Sequence, residues 1–167
     1  MKKHTCSSLW LHAALAAFCA LLVAGCGSTR GYQQADKTGE AINTVRNDVV
    51  NMKAAVDASM KALDGLAASA STDPRKAYEA YAKSVDKVEK AANTAKEHAD
   101  DMRARGNDYF KNWEAQLASV KSPEIRALAQ ERKAKLQEAF GTIKTAAQGA
   151  KESFPPFLSD LKDLRTA

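Results

Sequence analysis

The sequence predicts an all-α protein: an elongated antiparallel three-helix coiled-coil bundle with a short fourth helix at its C-terminal end. Three observations carry this. Its 167 residues include 33 alanines but only 8 glycines and 4 prolines, a helix-forming composition with too little turn material for a many-stranded sandwich or barrel. Apolar residues recur at alternating spacings of three and four over long runs, which marks a helical stripe. Prolines fall next to residues that start or stop helices, not within those runs. Aromatics make up 7% of the chain, so the core is expected to be thin, as in a slender bundle. The length suits one domain.

The chain opens with Lys2, Lys3 and His4, followed by an apolar run from Leu9 to Val23 broken by His12. A charged start, an apolar stretch and small residues at its end are the three parts of a secretory signal. The stretch is shorter than the roughly 20 residues of a comfortable membrane span. Its ending, Val23-Ala24-Gly25-Cys26, resembles the lipobox of bacterial lipoproteins. That resemblance implies a signal peptide over residues 1–25, cleavage before Cys26, and lipidation of Cys26 on its sulfur and on its new amine (thioether diacylglycerol, palmitate). Several acyl chains would hold the protein to a membrane, where one would bind only reversibly. Gly27 follows the cysteine, where an Asp would resemble an inner-membrane retention signal. The resemblance therefore implies the outer membrane, facing the periplasm. Cleavage removes Cys6, Cys19, Lys2 and Lys3, which lowers the net charge of +5 by two and leaves Cys26 as the one cysteine. A lipidated Cys26 leaves none for an internal disulfide.

Residues 26–39 read as a lipidated tether, because Gly27 to Gly39 is rich in Gly, Ser and Thr and poor in apolar residues. The bundle is expected over residues 40–167. Its first helix has a stripe at Ile42, Val45, Val49, Met52, Val56, Leu63 and Leu66, with Ser59 at the missing beat. Asp73 and Pro74 supply an N-cap and a first helical residue for the second helix.

The second helix is expected from Pro74 to about Val120, roughly 70 Å long. Its stripe passes through Tyr78, Tyr81, Val85, Val88, Ala92, Ala95, Ala99, Met102, Gly106, Tyr109 and Trp113. The small residues at its middle allow a neighbouring helix to approach closely. Ser122 and Pro123 open the third helix, whose face includes Ile125, Leu128, Leu136, Phe140, Ile143 and Phe154. Pro155-Pro156 is expected to end or kink it, with Phe157, Leu158, Leu161 and Leu164 forming the short fourth helix.

Tyr109-Phe110, Trp113-Glu114, Ser122-Pro123-Glu124-Ile125-Arg126 and Phe154-Pro155-Pro156-Phe157-Leu158 together resemble an uncharacterised bacterial family of coiled-coil periplasmic lipoproteins, a domain of unknown function. The family commonly has Asn where Ser122 stands and Leu where Ile125 stands. Its members often continue past the position of Ala167. The resemblance implies a helical envelope protein and imports no activity.

Candidate sites follow from residue types. Tyr109, Phe110 and Trp113 share a helix face and form either a thick core layer or a partner-binding anchor. Glu97, His98, Asp100 and Asp101 cluster on the second helix. His98 is the one histidine left after cleavage, so a hydrolase would have to centre on it. No cofactor or metal is expected from this ligand inventory. The cations alternate with acids, and an exported chain does not meet nucleic acid. The function expected is a membrane-anchored periplasmic spacer or protein-interaction module, not an enzyme. Its partners would be an envelope protein, a cell-wall polymer or further copies through the heptad faces. The alternatives are a carrier holding a lipid or small apolar ligand near Phe140, Phe154 and Phe157, and a hydrolase at His98.

Overall fold

The computed structural model describes residues 27–69 and 72–166; the signal segment and Cys26 lie outside them. The described residues form three helices: α1 (Gly27–Ser69), α2 (Pro74–Leu117) and α3 (Pro123–Thr166). Each has 43 or 44 residues and is therefore about 65 Å long. Short connections reverse the chain twice, so α2 runs antiparallel to both neighbours. Asp48 meets His98 across α1 and α2, while Tyr81 meets Leu161 and Glu114 meets Lys133 across α2 and α3. The α1–α2 pair is packed along its length, and α3 sits on α2 less extensively. None of these helices is long and apolar enough to cross a membrane.

Two apolar clusters hold the bundle. One buries Tyr81, Val85, Val88 and Leu161, with Leu63 and Leu66 of α1 and Phe154, Phe157 and Leu158 of α3 packed around them. The other buries Ala41, Met102 and Phe140, with Ile42, Val45, Phe110 and Ile143 beside them. Five of these stripe positions on α2, Tyr81, Val85, Val88, Met102 and Gly106, are buried as their spacing predicts. Large side chains sit at the clusters and small ones between them, so the core is discontinuous.

Helix ends follow local chemistry. Ser122 Oγ accepts a hydrogen bond from the Ile125 amide at 3.3 Å and donates to Glu124 Oε2 at 2.7 Å. That hydrogen bond, with a backbone one, holds the exposed Glu124 carboxyl below its ordinary value. Asp73 occupies the N-cap position of α2, as expected, yet its side chain makes no capping bond. The second helix stops at Leu117, three residues short of Val120.

Two expectations differ from what is observed. The stretch Gly27–Gly39 is helical, because α1 continues to dock on the far end of α2: Thr38 and Ala41 are buried, and Gly31 lies against Gln116. The short fourth helix is not a separate element, since α3 runs through Pro155 and Pro156 to Thr166. A proline lacks the amide that would bond the carbonyl four residues back. Here those carbonyls belong to Lys151 and Glu152, which are exposed and open to water. Beyond the prolines the helix is fastened to α2. Tyr81 Oη donates to the Leu161 carbonyl at 2.8 Å and Tyr78 Oη to the Arg165 carbonyl at 3.1 Å. Lys162–Glu89 and Arg165–Asp86 ion pairs flank them.

Candidate functional site: the cleft between the second and third helices

Past Phe140, toward the loop that joins them, α2 and α3 part. They leave an open cleft of about 880 Å³. Half-buried Phe110 of α2 gives it apolar surface, above a floor formed by the buried Leu117 of α2 and Phe140 of α3. Lys111 of α2 and Arg126, Lys133 and Lys144 of α3 bring positive charge to it, against the single carboxylate of Glu114. Lys133 and Glu114 form an ion pair across the cleft, with the Lys133 side chain 16% exposed. The Arg126 guanidinium donates from Nε and Nη2 to the Val120 carbonyl, which fixes it at the closed end of the loop.

The splaying has a cause in the sequence of α3. Arg126, Gln130, Lys133, Gln137 and Lys144 are spaced by four, three, four and seven residues, so they share the face turned to α2. The apolar residues Ile125, Leu128 and Leu136 stand on the outside, 61%, 50% and 46% exposed. A packed bundle helix turns its apolar row inward; this half of α3 does the reverse and cannot close on α2 as the Phe154–Leu161 half does.

The aromatic residues singled out in the sequence are brought together and extended. Trp113 meets Tyr109 edge-on at 5.5 Å, Tyr109 meets Phe110 at 5.3 Å, and Phe110 meets Phe140 of α3 at 5.7 Å between ring centres. The row runs from one side of α2 to the cleft. Burial pushes the Tyr109 phenol above its ordinary pKa. Trp113 and Phe110 are half-buried, so the row is both core and wall. Of the three phenylalanines expected to hold a ligand, only Phe140 reaches the cleft; Phe154 and Phe157 meet each other at 5.7 Å in the core.

Of the cluster on α2, His98, Asp100 and Asp101 are drawn into separate pairs. Asp100 bonds Arg103 and Asp101 bonds Arg105 on the same helix. His98 Nδ1 lies 2.6 Å from Asp48 Oδ2, whose side chain is 12% exposed. The histidine therefore ties α2 to α1 and does not share a site with Asp101. Sequence reasoning missed Asp48, although the two residues lie about equally far on either side of the turn at Asp73, where an antiparallel hairpin pairs them. Among the described residues no group of three or more His, Cys, Asp or Glu is placed to hold a metal ion.

A family model described as "Protein of unknown function (DUF2959)" matches residues 28–165, which takes in all three helices. No curated protein and no solved structure matches the chain.

Proposed function

The chain belongs to the DUF2959 family, and from that premise we propose that it is a membrane-anchored helical spacer that presents a protein-interaction surface in the periplasm of the bacterial envelope. The observation that carries this reading is the outward apolar row of Ile125, Leu128 and Leu136 on α3. Large apolar side chains left in water along one helix face are characteristic of surfaces that meet a partner. The anchor rests on the resemblance of Val23-Ala24-Gly25-Cys26 to a lipobox. Helices about 65 Å long suit a spacer that carries a binding surface on a rigid body.

The test is crosslinking in intact cells followed by pull-down, with wild type compared to Ile125→Ser/Leu128→Ser. Both side chains are exposed, so the variant keeps its fold. A discrete envelope protein crosslinked to wild type and lost from the variant is the expected result. In parallel, Cys26→Ser should lose acylation and leave the membrane fraction or stall as precursor. Unmodified Cys26 in membrane-bound wild type would end the anchoring part of the proposal. Crosslinked partners that are identical in wild type and the double variant would end the interaction part.

A further inference from the structure

We infer that the outward apolar row of α3 pairs in parallel with the same row of a second copy of this chain, about a two-fold axis that runs along the helices. The inference rests on the reading above that this row meets a partner, and it names that partner.

The row comes first. Ile125, Leu128 and Leu136 are 61%, 50% and 46% exposed, and Ala139 is exposed beside them. At about 100° per residue these side chains fall on one side of the helix, over about 21 Å of its length. Ile143 continues the same face but is packed against the cluster of Met102 and Phe140, so the uncovered stretch stops there. Ala139 lets another helix come close, and the three large side chains supply the apolar contact.

The charges beside the row say what covers it. Glu124, Glu131 and Glu138, spaced by seven residues, lie roughly a quarter-turn to one side. Arg126, Lys133 and Lys144 lie roughly a quarter-turn to the other, the side that faces α2. Lys135 stands on the acidic side and bonds Glu131 at 2.8 Å, and Glu114 of α2 pairs with Lys133 on the basic side. Each side still keeps the sign of its majority. A row with one acidic and one basic border is complementary to itself in one arrangement. When identical helices run parallel, the acidic border of one meets the basic border of the other; when they run antiparallel, like borders meet. Parallel pairing puts Lys133 beside the partner's Glu131 and Arg126 beside the partner's Glu124, each offset by about 3 Å along the axis. Arg132 stands within the row and is exposed. In a parallel pair it meets its own copy, and a single polar side chain at such a position sets register at a cost in stability.

The rest of the bundle leaves room for the pair. α2 packs on the basic side of α3 and not on the row. A two-fold axis along the helices therefore sends the two α1–α2 pairs to opposite sides of the contact. The same axis leaves both α1 N-termini at one end of the dimer, the end adjoining Cys26, so two anchors reach one membrane. A helix pair in contact over about 21 Å is at the small end of specific interfaces, and anchoring two copies in one membrane raises their effective concentration.

The experiment is site-directed crosslinking of the full chain in a non-ionic detergent at high chain concentration. Cys6, Cys19 and Cys26 are replaced by Ser, so a cysteine introduced on α3 is the only thiol, and a short bismaleimide captures pairs of them. Leu128→Cys, Leu136→Cys and Ala139→Cys should each give a covalent dimer, because in a parallel pair every position of the row meets its own copy. Ala134→Cys, exposed on the opposite face, should give at least tenfold less, which separates pairing from chance meetings in a micelle. Glu131→Lys, added to Leu136→Cys, should lower the dimer yield at least threefold, since it sets like charges against the partner's Lys133. Arg132→Leu should raise the yield. Circular dichroism on each variant confirms that the helices persist. No dimer, dimer from one row position alone, equal yield from Ala134→Cys, or undiminished yield with Glu131→Lys would overturn the proposal. In intact cells, wild type crosslinked through Ile125 and Leu128 only to a different protein would overturn it and leave the reading above standing; no partner of either kind would end both.

Discussion

The ring of Phe140 fills the place that a side chain at Gly106 would take. An ideal Cβ on Gly106 would lie 2.6 Å from both Cε atoms of Phe140 and closer still to Cζ. Both residues are buried, and the contact is the main point at which α3 meets the middle of α2. Gly→Ala inside a helix ordinarily adds about 1 kcal/mol. At Gly106 the sign should reverse, because the phenylalanine cannot move without displacing α3. Overpacking of this kind costs about 1–3 kcal/mol. Gly65 and Gly149 have nothing within 4 Å of the same ideal Cβ, so Gly65→Ala and Gly149→Ala should each stabilise by up to about 1 kcal/mol. Urea unfolding of the three variants checks the contrast. A stabilising Gly106→Ala would mean that α3 does not rest there.

Ser59 carries the opposite lesson. It is fully buried, and its Oγ has no hydrogen-bond partner. It stands at the missing beat of the α1 stripe. An unpaired buried hydroxyl costs about 1–3 kcal/mol, and alanine has nearly the same volume with a better helix propensity. Ser59→Ala should therefore raise stability by about 1–2 kcal/mol in urea unfolding. A loss of stability instead would show that the hydroxyl bonds the Ala55 carbonyl one turn back.

The Asp48–His98 contact is a matter for a double-mutant cycle. Its 2.6 Å separation joins α1 to α2, with Asp48 mostly buried and His98 half-exposed. Removing either side chain leaves the other without its partner. Water on the His98 side weakens the pair, so a coupling of about 1 kcal/mol is expected between His98→Ala and Asp48→Ala. Additive effects would exclude a direct contact. The sequence alone suggests a solvated histidine whose loss costs little, and this measurement separates the two.

Much of the bundle was legible because helix physics is local. The three-four spacing located Tyr81, Val85, Val88, Met102 and Gly106, and the Ser122-Pro123 pair located the start of α3 with its cap. Composition suggests a flexible tether at Gly27–Gly39, and the missing proline amides suggest an end or kink at Pro155-Pro156, yet tertiary docking of Thr38, Ala41, Phe157 and Leu161 carries the helix through both. Local propensity is a weak prior against such packing. The cleft was less legible. Phe110 and Trp113 drew attention as aromatics, but the inward row from Arg126 to Lys144 reads as ordinary surface until α2 is in place.

The final prediction concerns Tyr81 and alkaline pH. Its hydroxyl is buried and donates to the Leu161 carbonyl at 2.8 Å. Tyr81→Phe removes the donor and leaves that carbonyl short of one partner, at a cost of about 1–2 kcal/mol at neutral pH. Burial pushes the Tyr81 phenol above its ordinary value of 10.0, against a smaller opposing pull from Arg165. The sign follows from linkage. The unfolded chain gives up this proton near pH 10, while the folded chain holds it to higher pH. The stabilisation attached to the phenol is therefore complete below about pH 10 and is lost as pH rises through the folded pKa. Unfolding free energies of wild type and Tyr81→Phe should differ most below about pH 10 and converge as pH rises through the raised folded pKa. Lysine deprotonation acts on both proteins alike and cancels in the difference. Tyr109, also raised by burial, adds a loss of the same sign that remains in the Tyr81→Phe variant, and Tyr109→Phe removes it separately. A difference that stays constant across this range would show that the Tyr81 phenol titrates as it does in the unfolded chain, and that its bond to Leu161 does not hold the end of α3.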